Sequence, residues 1–167
     1  MTTEHRTTEP LPDDLPHLRR CVDLARAALD AGDAPFGSLL VSGGAVVFED
    51  RNRIAGGDGT RHPEFEIARW AAEHLTPAER ATAVTYTSGE HCAMCSAAHA
   101  WVGLGRIVYA GSTEQLVAWH AEWGLPPAPV APLPIGVVAP TVPVSGPEPS
   151  LTAELRALHA RAAGVAP

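Results

Sequence analysis

Two short runs of this chain hold the residue types of a hydrolytic metal centre: His62-Pro63-Glu64 and Cys92-Ala93-Met94-Cys95. One imidazole and two thiolates suffice to hold a zinc ion (Zn2+). Three protein ligands leave the fourth position to water, whose pKa falls toward ~7 on the ion. Glu64, two residues after the imidazole, is spaced to move protons for that water without joining the ligand set. A C-x-x-C alone also fits a redox dithiol or half of a structural zinc site. The structural site needs a fourth ligand, for which His91 and His99 are the candidates. The order, spacing and flanking elements of the two runs together favour the catalytic arrangement.

The elements that must position these residues are legible in the spacing of apolar residues. Leu18, Cys21, Val22, Ala25 and Leu29 predict an amphipathic helix over 15–31, closed by Gly32. Residues 37–42 and 45–49 read as strands joined at Gly43-Gly44, a two-residue hairpin signal. A glycine-rich loop, 56–59, delivers His62. Pro63 suits the first position of a second helix, because its missing N–H would be unpaired there anyway. Glu64 falls in line with Ile67, Ala68, Ala71 and Leu75, so its carboxylate is expected to face inward. A strand over 81–88, a helix over 92–102, a strand over 106–110 and a helix over 112–123 follow. Cys92 and Cys95, nearly one turn apart, would share a helix face. A helix N-terminus also lowers a thiol's pKa. The order β-β-α-β-α-β-α implies a layered α/β fold whose later strands pair in parallel.

Residues 1–14 read as a flexible leader and 15–167 as one domain. Within that domain, residues 125–149 hold more than half of the chain's 16 prolines. Residues 135–139 could form an edge strand there, and Leu151, Leu155 and Leu158 predict a final helix over 150–163. With 46% hydrophobic residues the chain can bury a sizeable core. It has no apolar run of ~18 residues and so no membrane-spanning helix. The net charge is −7, lysine is absent and the arginines are scattered. That argues against a polyanionic partner such as tRNA or DNA and favours a small neutral substrate. Three cysteines, two of them in a C-x-x-C, suit a reducing compartment, the cytoplasm, more than a disulfide framework. Cys21 lies in an apolar stretch and reads as a small buried hydrophobe.

With these residues in view, the chain resembles the cytidine deaminase-like superfamily, in the branch of guanine deaminases and tRNA adenosine deaminases. Asp33-Ala34-Pro35-Phe36-Gly37 is similar to the P-F-G segment before the first strand, and Arg51-Asn52 to the substrate-binding asparagine after the second. The run from Tyr86 to Cys95 resembles that branch's Y-T-S-C-E-P-C-P-M-C. The resemblance covers about residues 18–122 and implies a three-layer α/β/α fold around a mixed sheet of about five strands. It implies His62, Cys92 and Cys95 as zinc ligands and Glu64 as proton shuttle. Asn52, Phe36, Pro63, Ser88 and His91 form the implied substrate side. The implied reaction is hydrolytic removal of ammonia from a small nucleobase, guanine or a modified purine first, in a homodimer. Cytosine, a nucleoside or a triazine-type ring is the alternative. A tRNA adenosine deaminase and a non-catalytic zinc-stabilised interaction module are further rivals.

Two departures bear on selectivity. Pro63 stands where the family has alanine, and it offers no backbone N–H to a base. His91 replaces the proline before the first cysteine, either as a group near the pocket or as a solvent-facing loop residue. His99 reads as a core or pocket histidine, and Trp101, Trp119 and Trp123 as packing residues.

Overall fold

The apolar stripe around Leu18, Cys21, Val22 and Ala25 folds as α1 (Leu15–Asp30), with all four side chains buried. The structure is a computed structural model and describes residues 8–166. β1 (Gly37–Ser42) and β2 (Ala45–Arg51) form the expected hairpin. Its turn glycines, Gly43 and Gly44, have φ of +59° and +80°, the left-handed pair that a two-residue turn requires. There follow α2 (Pro63–His74), α3 (Pro77–Thr82), β3 (Val84–Gly89), α4 (Ala93–Val102), β4 (Ile107–Gly111), α5 (Thr113–Glu122), α6 (Ile135–Val138), β5 (Val144–Ser145) and α7 (Thr152–Ala163). Among the described residues no helix is long and apolar enough to cross a membrane.

The five strands form one mixed sheet in the order β2-β1-β3-β4-β5. β1 is antiparallel to β2 and β3, while β3, β4 and β5 run parallel. Alternation along each strand divides the core between the two faces. Leu39, Tyr86, Val108 and Ala110 pack with α1, Trp119 of α5 and Leu155 and Leu158 of α7. Leu40 packs on the other face with Ile67, Ala68 and Ala71 of α2. Ile107 and Tyr109 meet Ile135 of α6. The result is the α/β/α layering that the resemblance implies.

Three expectations are corrected. Residues 81–82 belong to α3, and the strand starts at Val84. Thr76-Pro77-Ala78-Glu79 is a capping box, in which Thr76 N–H donates to the Glu79 carboxylate at 2.8 Å and Thr76 Oγ1 accepts from Glu79 N–H. The span 135–139 is not an edge strand. Ile135 opens the short α6 with its N–H held by Glu90 Oε1 at 2.9 Å, and the sheet edge is formed instead by β5. Of the expected flexible leader, residues 1–7 lie outside the described residues, but 8–14 are tied down. Thr8 bridges to Ser145 beside β5, and Asp14 is 3% exposed.

Asp14 is a junction. It accepts from Leu11 N–H (2.7 Å), Tyr86 hydroxyl (2.8 Å) and the Arg106 guanidinium (2.7 Å). Burial alone would raise its pKa, but these donors outweigh burial and hold it below the ordinary aspartate range. The stability it supplies is therefore present above pH ~4 and is lost as pH falls through the lowered value. Asp14→Asn is expected to cost about 3 kcal/mol, because Arg106 keeps a half-buried charge without its partner. Urea unfolding at pH 7 measures this, and the gap between the two proteins should narrow toward pH 3.

Candidate active site

β3 and β4 end side by side, with Gly89 paired to Gly111, so their loops leave the sheet at the same edge. That edge of a parallel pair is where ligands meet open α/β sheets. The loop after β3 leads into α4, with Cys92 as its N-cap and Cys95 in its first turn; His62 is the N-cap of α2. Because α2 and α4 pack together on one face of the sheet, their N-terminal ends converge. His62 Nδ1 lies 3.7 Å from Cys92 Sγ and 3.6 Å from Cys95 Sγ, and the two sulfurs are 3.6 Å apart. Tetrahedral zinc, with Zn–S of about 2.3 Å and Zn–N of about 2.0 Å, needs S···S of about 3.8 Å and S···N of about 3.6 Å. The donor set therefore fits the ion, with sulfur and imidazole as its preferred chemistry.

Glu64 is 5% exposed, as its place on the α2 stripe implies. Ser38 and Thr87 hydroxyls lie 2.8 and 3.0 Å from Oε1, while Oε2 lies 3.8 Å from Cys95 Sγ. One oxygen is anchored and the other faces the cluster. Burial raises the carboxyl's pKa, against the pull of Ser38 and of His62. The two sulfurs are hydrogen-bonded to each other; that bond and His62 pull Cys92 down to about 4, whereas the Cys92 sulfur, burial and Glu64 push Cys95 up. The Cys92 sulfur in turn raises the pKa of His62.

Ser38 and Thr87 are missing from the sequence reading. They are cross-strand partners on β1 and β3, on the face that carries α2. Two hydroxyls at buried positions among Leu39, Leu40 and Tyr86 were the available signal.

The expected substrate side is only partly assembled. Asn52 is 1% exposed; its Oδ1 accepts from Ile54 N–H, and its amide nitrogen has no partner among the described residues. Pro63 is buried at the start of α2. Ser88 Oγ accepts from Gly37 N–H at 3.1 Å, a bond that ties β3 to β1. Gly37 itself must be glycine, since a Cβ there would sit 2.6 Å from Cys21 O on α1. Phe36 borders a recess together with Ser88, Gly89 and Glu90.

His91 is not the solvent-facing residue of one expectation. It is 1% exposed, its ring meets His99 edge-on at 5.5 Å, and both nitrogens are sealed without a partner. His99 is buried and its Nε2 lies 2.8 Å from Gly105 O, away from the cluster. Neither histidine joins the donor group. Glu90 ties loops together, accepting from Thr113 and Ile135 N–H. Trp119 is buried, but Trp101 is 89% exposed and is not a packing residue. Two positions beyond His99, it points about 200° around the helix from that buried side chain.

This donor set on this layered sheet defines the zinc-type deaminase class. The zinc-binding region of cytidine and deoxycytidylate deaminases matches residues 12–111, and the chain belongs to that family. It is 35% identical over 112 residues to a Schizosaccharomyces pombe protein named probable cytosine deaminase, covering 66% of this chain and 68% of that one. It is 35% identical over 95 residues to the Bacillus subtilis guanine deaminase, covering 56% of this chain and 61% of that one. A solved guanine deaminase from Nitrosomonas europaea superposes with a TM-score of 0.67 at 21% identity, over 95% of this chain and 87% of that chain, a likeness of fold.

Proposed function

We propose that the chain hydrolytically deaminates a free nucleobase or related amino-heterocycle, with guanine or a modified purine as the first substrate class. The observation that carries this reading is a buried carboxylate with one anchored oxygen and one facing the His62–Cys92–Cys95 cluster. In this reading those three side chains hold zinc, which when bound makes a water nucleophilic near neutral pH. Glu64 moves the protons. Both protons of the water pass over its carboxylate, one to the ring nitrogen and one to the amine, as the C–N bond breaks and ammonia leaves. Asn52 offers its amide N–H to an acceptor on the ring, and Phe36 supplies a flat apolar wall. The relatives named guanine deaminase favour the purine.

Cytosine is the second reading, favoured by the 35% identity to the fission-yeast protein. Ammonia release across a panel of amino-purines, amino-pyrimidines, nucleosides and amino-triazines tests both, and silence on every member would overturn the proposal. A tRNA substrate predicts a basic surface, which a chain of net charge −7 without lysine does not favour. Filter binding at low salt separates that case. The reading includes a reducing compartment such as the cytoplasm, suited to free thiols at Cys21, Cys92 and Cys95. It also includes a homodimer, tested by sedimentation.

Pro63→Ala is expected to restore a backbone donor beside Glu64. Substrates with an acceptor at that point should gain roughly 3- to 10-fold in kcat/KM over those without one. Stability should hardly move, since alanine and proline both suit a first helical position. Unchanged ratios across the panel would remove Pro63 from the substrate side.

A further inference from the structure

α7 brings a polar group toward the site from the face of the sheet opposite α2 and α4. A narrow recess runs beside the loop to Cys92, walled by Phe36, Glu90, Thr113, Trp119, Leu155 and His159. Glu90 lies two residues before Cys92, so the Cα atoms of the two are at most about 7 Å apart. Phe36 is wedged at its mouth: a Cβ on Gly89 would sit 2.8 Å from the Phe36 ring, and His159 meets that ring edge-on at 5.1 Å.

His159 is 7% exposed. Its ring packs on Phe36, on Trp119 at 6.0 Å and on His120 at 6.3 Å. It takes no hydrogen bond from the described residues, yet neither ring nitrogen is sealed off as both are in His91. Burial, with His120 adding to it, brings its pKa to about 4. At neutral pH the imidazole is uncharged and offers one donor and one acceptor. Because its nitrogens stay open, the imidazole adds a donor and an acceptor to a recess that an apolar ring could line equally well.

We infer that His159 is a specificity-determining residue whose free ring nitrogen hydrogen-bonds a carbonyl or amino substituent on the edge of the heterocycle remote from the leaving amine. The inference rests on the deaminase reading above. A planar ring reacting at the cluster, on the α2–α4 side, turns its far edge toward Phe36 and the α7 side of the sheet. A neutral imidazole there matches an uncharged base and discriminates by the substituent.

The test uses the zinc-loaded protein with His159→Phe and His159→Gln. Substrates are paired to share the reacting carbon and differ in the remote substituent: guanine with 2-aminopurine, and cytosine with 4-aminopyrimidine. His159→Phe is expected to lower kcat/KM at least 10-fold for the substituted member and less than 3-fold for its partner. His159→Gln should recover part of the loss, and the melting temperature of His159→Phe should not fall. Equal losses on both members, or a lower melting temperature with no change in selectivity, would make His159 structural and overturn the inference. Wild-type turnover with unchanged selectivity in both variants would overturn it while leaving the deaminase reading intact. Failure of the wild type on every base would overturn both.

Discussion

Glu64→Gln is expected to cut turnover by about 10³-fold while leaving zinc content and melting temperature near the wild-type values. Glutamine has the shape of glutamate, and its amide oxygen can still accept from the hydroxyls of Ser38 and Thr87. What it loses is the ability to take a proton from water and give it back. Glu64→Ala should lose activity to a similar extent and also destabilise the chain through the cavity left at a buried position, although the Ser38 and Thr87 hydroxyls keep Thr87 Oγ1 and Gly89 O as acceptors, each at 2.9 Å. The two variants therefore separate chemistry from support. Single-turnover kinetics with metal analysis and calorimetry on the same preparations would show it. A glutamine variant within tenfold of wild type would remove Glu64 from the proton transfer.

Most of the candidate site was legible because its residues are rare types at short fixed spacings. The cluster needs only that two helices start near one another. Pro63 and the apolar stripe of α2 fixed one of these starts, and the strand before Cys92 fixed the other. The inward aim of Glu64 also followed from local periodicity, since a helix places residues three and four apart on one face. The acceptor shell did not follow, because Ser38 and Thr87 meet only through the antiparallel register of β1 with β3, a long-range pairing. His91 was ambiguous because burial of a loop residue depends on what packs over it, here His99. The span 135–139 misled because the identity of the sheet's edge strand was decided at a distance. Glu90 captures the N–H of Ile135, and β5 pairs with β4 instead. The residue type of Trp101 points to packing, whereas its angle around α4 turns it outward. The recess walled by α7 lay outside the reach of the motifs altogether.

Stripping zinc with a chelator is expected to abolish turnover and to lower the melting temperature by an amount that depends on pH. Ligation requires both sulfurs as thiolates and His62 neutral, so zinc competes with protons for these atoms. Cys92, pulled down to about 4 by the Cys95 thiol and His62, gives up no proton at neutral pH. The Cys95 thiol and the His62 imidazole, both raised by the Cys92 sulfur, must release theirs. Near pH 6 loading should therefore free about two protons, falling toward one once His62 is neutral, and affinity should strengthen by about that many decades per pH unit. The sign for stability follows from mass action, since an ion bound to the folded state alone stabilises by RT ln(1 + [Zn]/Kd). With free zinc at about 1,000 times Kd this is about 4 kcal/mol, or about 8–16 °C for a chain of this size. As pH falls, Kd rises and that contribution disappears, so the same chelator should shift the melting temperature far less at pH 5.5 than at pH 8. Added zinc should restore both readings at pH 8. A metal-free preparation with undiminished turnover would remove the ion from the chemistry. A chelator shift independent of pH would mean that the ligand atoms are not the protonated imidazole and thiol that the donor geometry brings together.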